Sequence, residues 1–193
     1  MGALGIGGIP LWSGYISKTL LHEGIVEYIE ILAAQGGAGL MRVIEWLFLI
    51  AGGMTLAYMT KLFVAIFIEQ KPESTVEKSK YMDKPTAVML TVSGLILLFF
   101  GLFAHGTMDK IAEASRLFLG GAELEHTVQY FSWTNLQGAL ISICIGVVLY
   151  FGVVRLLLMK KDGQGVRVYV DRWPRWADLE KVVYQPLLQG LAF

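Results

Sequence analysis

Long apolar runs alternate with short polar segments along this chain. Residues 43–68, 86–105 and 134–158 contain almost no charged side chains. A helix that crosses the hydrocarbon core of a bilayer needs about 20 consecutive, mostly apolar residues. Each run is long enough for one crossing, so the pattern predicts three transmembrane helices.

The first apolar stretch is interrupted by residues that break helices. Gly7, Gly8 and Pro10 fall close together, and Ser13 and Gly14 follow them. Glycine and proline disrupt a helical pattern. The sequence therefore predicts, in order, half a span over residues 1–8, a break at 7–11, a helix over 12–24 and an acidic surface segment up to 39.

The polar segments between the runs differ in character. The segment "EQKPESTVEKSKYMDKP" is predicted to be a polar loop, and "GTMDKIAEASRLFLGGAELEHTVQYFS" an amphipathic interfacial helix with a Gly-Gly turn. In the tail, Trp176, Leu179, Val183 and Leu187 share one helix face. We predict an all-α integral membrane protein with a broken first helix, three transmembrane helices and a C-terminal amphipathic cytoplasmic helix. Residues 1–160 would form the membrane module and residues 161–193 the tail.

The basic residues are distributed unevenly between the two sides of these spans. Loop 69–84 and the tail from residue 160 onwards carry ten lysines and arginines, whereas segments 24–42 and 106–132 carry three. Basic residues concentrate in cytoplasmic loops. The pattern predicts a multi-pass protein of the cell membrane with a cytoplasmic C-terminus, and it places the break within the bilayer.

Composition narrows the possible functions. Hydrophobic residues make up 55% of the chain and charged residues 17%, against about a quarter in soluble domains. The net charge of +0 gives a nucleic-acid partner no electrostatic support. The single cysteine, Cys144, excludes an internal disulfide. No motif indicates a metal site, a cofactor or catalytic chemistry in this chain, so any redox reaction would belong to another subunit.

Two lysines fall inside predicted spans, where each costs about 2.5–3.5 kcal/mol at a helix centre and such residues often mark ion paths. Lys18 and His22 share a helix face at i and i+4 and could pass protons towards the acidic segment. Lys61 is a further relay candidate. The alternative for both lysines is that the amine reaches the membrane surface along its aliphatic stem, which is easier for Lys61 because it lies nearer a span end. Glu45 reads as an interfacial residue.

Two motifs carry a family resemblance. "GIPLWSGYISK", residues 8–18, resembles the broken helix of the antiporter-like subunits of respiratory complex I, membrane-bound hydrogenases and multi-subunit cation/proton antiporters. "LAYMTKLFVAIF", residues 56–67, is similar to the helix that follows it in that family. The resemblance extends over residues 3–160. Leu11 departs from it, because the family often has a second proline there, and the segment between Lys18 and the next span is longer.

The resemblance implies a function for Lys18. In the family, the lysine after the break ends a row of charged residues at the membrane mid-plane, from which protons leave to the outside. His22 matches no family residue. The family has many earlier spans, so the resemblance implies either a split or truncated subunit or a chain that docks against companion membrane subunits, with the lipid bilayer around it.

Several alternatives remain open at the level of sequence. The transported ion could be a proton or sodium, and the parent assembly could be any of the three types. The chain could instead be a structural membrane subunit without its own ion path, or a membrane-anchored interaction protein that acts through its tail.

Overall fold

The computed structural model describes residues 1–69, 82–121, 128–161, 163, 167–170, 174, 176, 178 and 180–191. Most of the predicted polar loop at 69–84 lies outside the described residues. Within them, three helices are long and apolar enough to cross a membrane, namely Gly39–Phe67, Lys84–Leu102 and Trp133–Leu157. The predicted all-α membrane fold with three spans is thereby confirmed.

The first apolar stretch forms two helices separated by a break, as predicted. Helix α1 covers Gly2–Gly7 and helix α2 covers Ser13–Ala34. Gly8 ends α1 with φ of 74°, a left-handed conformation that glycine adopts readily at a helix end. Leu11 also has a positive φ, 77°, which is uncommon for a residue with a side chain. Two left-handed residues therefore separate the helices.

Helix α2 extends further than the sequence predicts. It continues beyond residue 24 through the acidic segment and ends at Ala34, before Gly36, which has φ of 84°. The segment contains no proline, and Gly24 alone is a weak breaker because glycine costs only about 1 kcal/mol in a helix interior. The acidic residues are thus helical.

Small residues bring the backbones at the break into direct contact. A Cβ added to Gly14 would lie 1.9 Å from the carbonyl oxygen of Gly5. A Cβ added to Gly101, near the end of helix α4 (Lys84–Leu102), would lie 2.2 Å from the carbonyl oxygen of Leu11. Gly14 allows α2 to approach α1, and Gly101 allows α4 to approach the break, more closely than any larger residue would permit.

Helix α3, Gly39–Phe67, packs against helix α6, Trp133–Val148. A Cβ on Gly53 would lie 2.6 Å from Cγ2 of Ile145, and the hydroxyl of Ser142 donates a hydrogen bond to the carbonyl of Leu49 at 3.1 Å. Close approach over small residues is typical of helix pairs in membranes. Beyond Val148 the helix continues with π-type hydrogen bonding over Leu149–Leu157.

Helix α5, Ala104–Phe118, is the predicted amphipathic helix, and it is followed by a turn in which Gly120 has φ of 70°. The most buried apolar cluster lies where α2, α5 and the start of α6 meet. It contains Tyr15, Ile16, Ala104 and Tyr130. This cluster fixes the end of α2 that carries Lys18 against the rest of the bundle.

The tail contains a small hairpin that the sequence pattern did not indicate. Strand β1, Met159–Lys161, pairs antiparallel with strand β2, Arg167–Tyr169, with Met159 opposite Tyr169. A π-type turn over Glu180–Tyr184 then leads into helix α7, Gln185–Leu191. Pro186 lies in the first turn of α7, where proline is tolerated.

Candidate functional site

A cavity of about 230 Å³ lies between α2, α3 and α6. Gly52 lines it, and this residue is next to the central residue of α3, Gly53. If α3 spans the bilayer, the cavity therefore lies near half depth. Its volume is enough for several water molecules. The polar side chains that line it come from all three helices: Lys18, Thr19, His22, Thr55, Asn135 and Ser142.

Lys18 lies partly buried between this cavity and the broken helix. Its Nζ donates a hydrogen bond to the carbonyl oxygen of Gly7 at 3.3 Å. Gly7 is the last residue of α1, so its carbonyl has no partner within the helix. A Cβ on Gly8 would lie 2.7 Å from Cδ of Lys18, so any larger residue there would force the lysine stem to shift. The break therefore creates both the acceptor and the space for this amine.

The other predicted break residues shape the backbone and do not line the cavity. Gly14 makes the close approach to α1, Ser13 begins α2, and Pro10 lies partly buried between the helices. Ser13 and Gly14 line a second, more open groove between α1, α2 and α4, which Lys18 also lines. Lys18 thus borders two separate spaces.

His22 lines the same cavity as Lys18, in line with the predicted shared helix face. Its Nε2 lies 3.4 Å from Oε1 of Glu45 on α3. The alignment is too poor for a hydrogen bond, and Nε2 has no hydrogen-bond partner within the described part of the chain. The imidazole stacks on Phe48 with ring centroids 6.0 Å apart. The sequence did not indicate Glu45 as a partner, because contacts between helices depend on how each helix is rotated.

Asn135 is the second residue that the sequence analysis missed. It is 8% exposed, and its Nδ2 donates to Oε2 of Glu23 at 3.1 Å and to the carbonyl of Gln129 at 2.9 Å. The sequence signal that could have pointed to it is a polar side chain near the start of an apolar span, because such a side chain needs a hydrogen-bond partner once it is buried. This contact ties the start of α6 to the middle of α2.

Lys61 lies apart from this cavity. Its side chain is exposed, and its Nζ lies 4.1 Å from the ring centroid of Tyr169 on β2, near the opposite end of α3 from Glu45. The structure therefore brings together Lys18 and His22 but not Lys61. A relay role for Lys61 stays a prediction.

A further polar network flanks the apolar cluster. The hydroxyl of Tyr15 donates to the carbonyl of Tyr130, and the hydroxyl of Tyr130 donates to Asp109. Asp109 also lies 2.8 Å from Nδ1 of His105. Burial and then the bond to Asp109 raise the pKa of Tyr130 above the ordinary value for tyrosine. The network holds α5 against the segment before α6.

These observations define an α-helical membrane protein with a partly buried lysine beside a broken helix. The chain is similar to a protein of Staphylococcus saprophyticus whose name gives it as an antiporter subunit, mnhA2: the two are 25% identical over 174 residues, 87% of this chain. The chain spans 21% of the length of that relative. No family model and no solved structure matches the chain. The predicted resemblance to antiporter-like subunits is confirmed, whereas the similarity shows no link to complex I.

Proposed function

We propose that this chain is a proton-translocating module of a multi-subunit cation/proton antiporter assembly in the cell membrane, with its C-terminus in the cytoplasm. The relative's name supports the antiporter type over the redox-linked types. The proposed partners are other membrane subunits, which supply further spans, and the surrounding lipid. His22 is the proposed next group after Lys18, and Lys61 enters only as a charge at the far end of α3.

The observation that carries the proposal is the environment of the Lys18 amine. It lies at a cavity that several polar side chains line, and it donates one long hydrogen bond to the end of α1. None of the ion pairs among the described residues involves Lys18. An ammonium held by a carboxylate keeps its proton, whereas a partly buried ammonium without a carboxylate partner can release it more readily. A sodium site would instead gather several oxygen ligands around one point.

The test is proton movement in membrane vesicles that contain the assembled complex. We expect Lys18→Ala to lower it about tenfold or more, which corresponds to at least about 1.4 kcal/mol, with assembly intact. Lys160→Ala, at an exposed position of strand β1, is the matched loss of a lysine and should leave proton movement unchanged. Normal proton movement in Lys18→Ala would overturn the proposal. Loss of assembly in Lys18→Ala would indicate a structural subunit.

A further inference from the structure

We propose that Glu45 is the carboxylate that receives protons from His22 at the outlet of the cavity, and that Gly138 positions the imidazole for this transfer. The inference deepens the proposed function and rests on it. It changes the role of Glu45 from an interfacial residue to a member of the ion path.

The Nε2 edge of the His22 ring lies towards Glu45. Both His22 and Lys18 line the cavity, and the Nε2 of His22 faces Oε1 of Glu45 at 3.4 Å. That nitrogen is buried and lacks a hydrogen-bond partner among the described residues, although an unpaired buried nitrogen is costly. A small rotation of the Glu45 carboxylate completes the path from the imidazole, because loose proton-transfer pairs often tighten in the reacting state.

Exposure increases along this pair. The side chain of His22 is 12% exposed and that of Glu45 is 27% exposed. Glu45 lies near the start of α3, close to the predicted outer surface. A proton that reaches Glu45 is therefore nearer to solvent than one held on the imidazole.

Proton transfer from His22 to Glu45 needs no other reactant. The Nε2–H bond of the imidazolium breaks as an O–H bond forms on Oε1 of Glu45, and neutral imidazole and a carboxylic acid result. The acid then releases the proton to solvent, and the imidazole can accept the next proton from the cavity. Histidine suits this role because its ordinary pKa lies near neutrality.

Glu23 is the competing acceptor on the same helix as His22. Its Oε2 already accepts a hydrogen bond from the buried amide of Asn135 at 3.1 Å. That bond ties Glu23 to α6, whereas among the described residues Glu45 is the carboxylate within ion-pair distance of His22. Glu45 is thus the better placed acceptor.

Gly138 on α6 sets the position of the ring. A Cβ there would lie 2.9 Å from Cε1 of His22 and 3.1 Å from Nδ1. With Phe48 stacked against it as well, the imidazole has little freedom to move. Gly138→Ala would therefore displace the ring from Glu45 without changing any charged group.

The experiment compares variants of the assembled complex in membrane vesicles. We expect Glu45→Gln to lower proton movement about tenfold, and Glu45→Asp to recover part of it because the carboxylate remains. Gly138→Ala should lower it about threefold. Gly24→Ala is the matched glycine control, since α2 leaves open space at Gly24, and it should have no effect. NMR of ring-labelled histidine should show an altered His22 titration in Gly138→Ala.

Lys18→Ala, measured in parallel, separates the two proposals. If Lys18→Ala blocks proton movement while Glu45→Gln leaves it normal, the outlet proposal is wrong and the proposed function stands. Normal movement in Lys18→Ala would overturn both. An unchanged His22 titration in Gly138→Ala would remove Gly138 from the proposal even if transport fell.

Discussion

Lys18 and Lys61 occupy similar apolar sequence contexts but different structural environments. Lys18 is partly buried, contacts the carbonyl of Gly7 and lines a cavity near the middle of the bundle. Lys61 is exposed and lies over the ring of Tyr169 in the tail hairpin. The difference arises from the backbone: Lys18 follows a broken helix that supplies an acceptor, whereas Lys61 projects from a continuous one. A lysine inside an apolar run is therefore informative mainly when irregular backbone lies beside it.

The largest expected effect tests whether the backbone at the break needs glycine next to the Lys18 side chain. Gly8→Ala places a methyl group 2.7 Å from the lysine stem at a residue with φ of 74°, so the stem must shift and the backbone is strained, and we expect a loss of about 2 kcal/mol in the free energy of unfolding. Gly36 also has a positive φ, 84°, but open space around it. Gly36→Ala should therefore lose only about 1 kcal/mol. Unfolding of the protein in detergent measures both, and equal losses would contradict this account.

A smaller effect of opposite sign separates a functional lysine from a structural one. Lys18→Met keeps the stem and removes a partly buried charge held by one long hydrogen bond, so it should raise stability by about 1 kcal/mol while proton movement is lost. Lys61→Met removes an exposed charge and should lower stability by about 0.5 kcal/mol. The measurements are the thermal unfolding of both variants and proton movement in the assembled complex. A strongly destabilised Lys18→Met would mean that the ammonium is structural.

The smallest expected effect concerns the contact between Lys61 and the ring of Tyr169. Tyr169→Leu removes the ring 4.1 Å from the amine and should cost about 0.5 kcal/mol, since exposed cation–π pairs are weak. The double variant with Lys61→Met should lose no more than either single change, because both remove one interaction. Additive losses in this cycle would show that the two residues act independently.

The sequence was sufficient for the features that depend on local pattern. Apolar run length located the three spans, and the cluster of Gly7, Gly8 and Pro10 located the break. The amphipathic helix α5 also followed from its pattern. Each of these depends on neighbouring residues along the chain, which a single sequence displays directly.

Contacts between distant segments could not be predicted in the same way. Glu45 meets His22, and Asn135 meets Glu23, only because three helices pack in a particular rotation. The hairpin of β1 and β2 was missed because each strand is too short to show a clear alternation. The continuation of α2 past Gly24 was missed because a single glycine weakens a helix without ending it.

The backbone contacts at Gly14 and Gly101 have a mechanical consequence. Carbonyl oxygens lie 1.9 Å and 2.2 Å from where a methyl group would stand, so the backbones are already in contact and bending at the break would have to move neighbouring helices aside. The Lys18 ammonium group would then move between its two neighbouring spaces through torsions of its four-carbon side chain. Such a movement would occur on the fast timescale of rotamer exchange and would need no movement of the main chain.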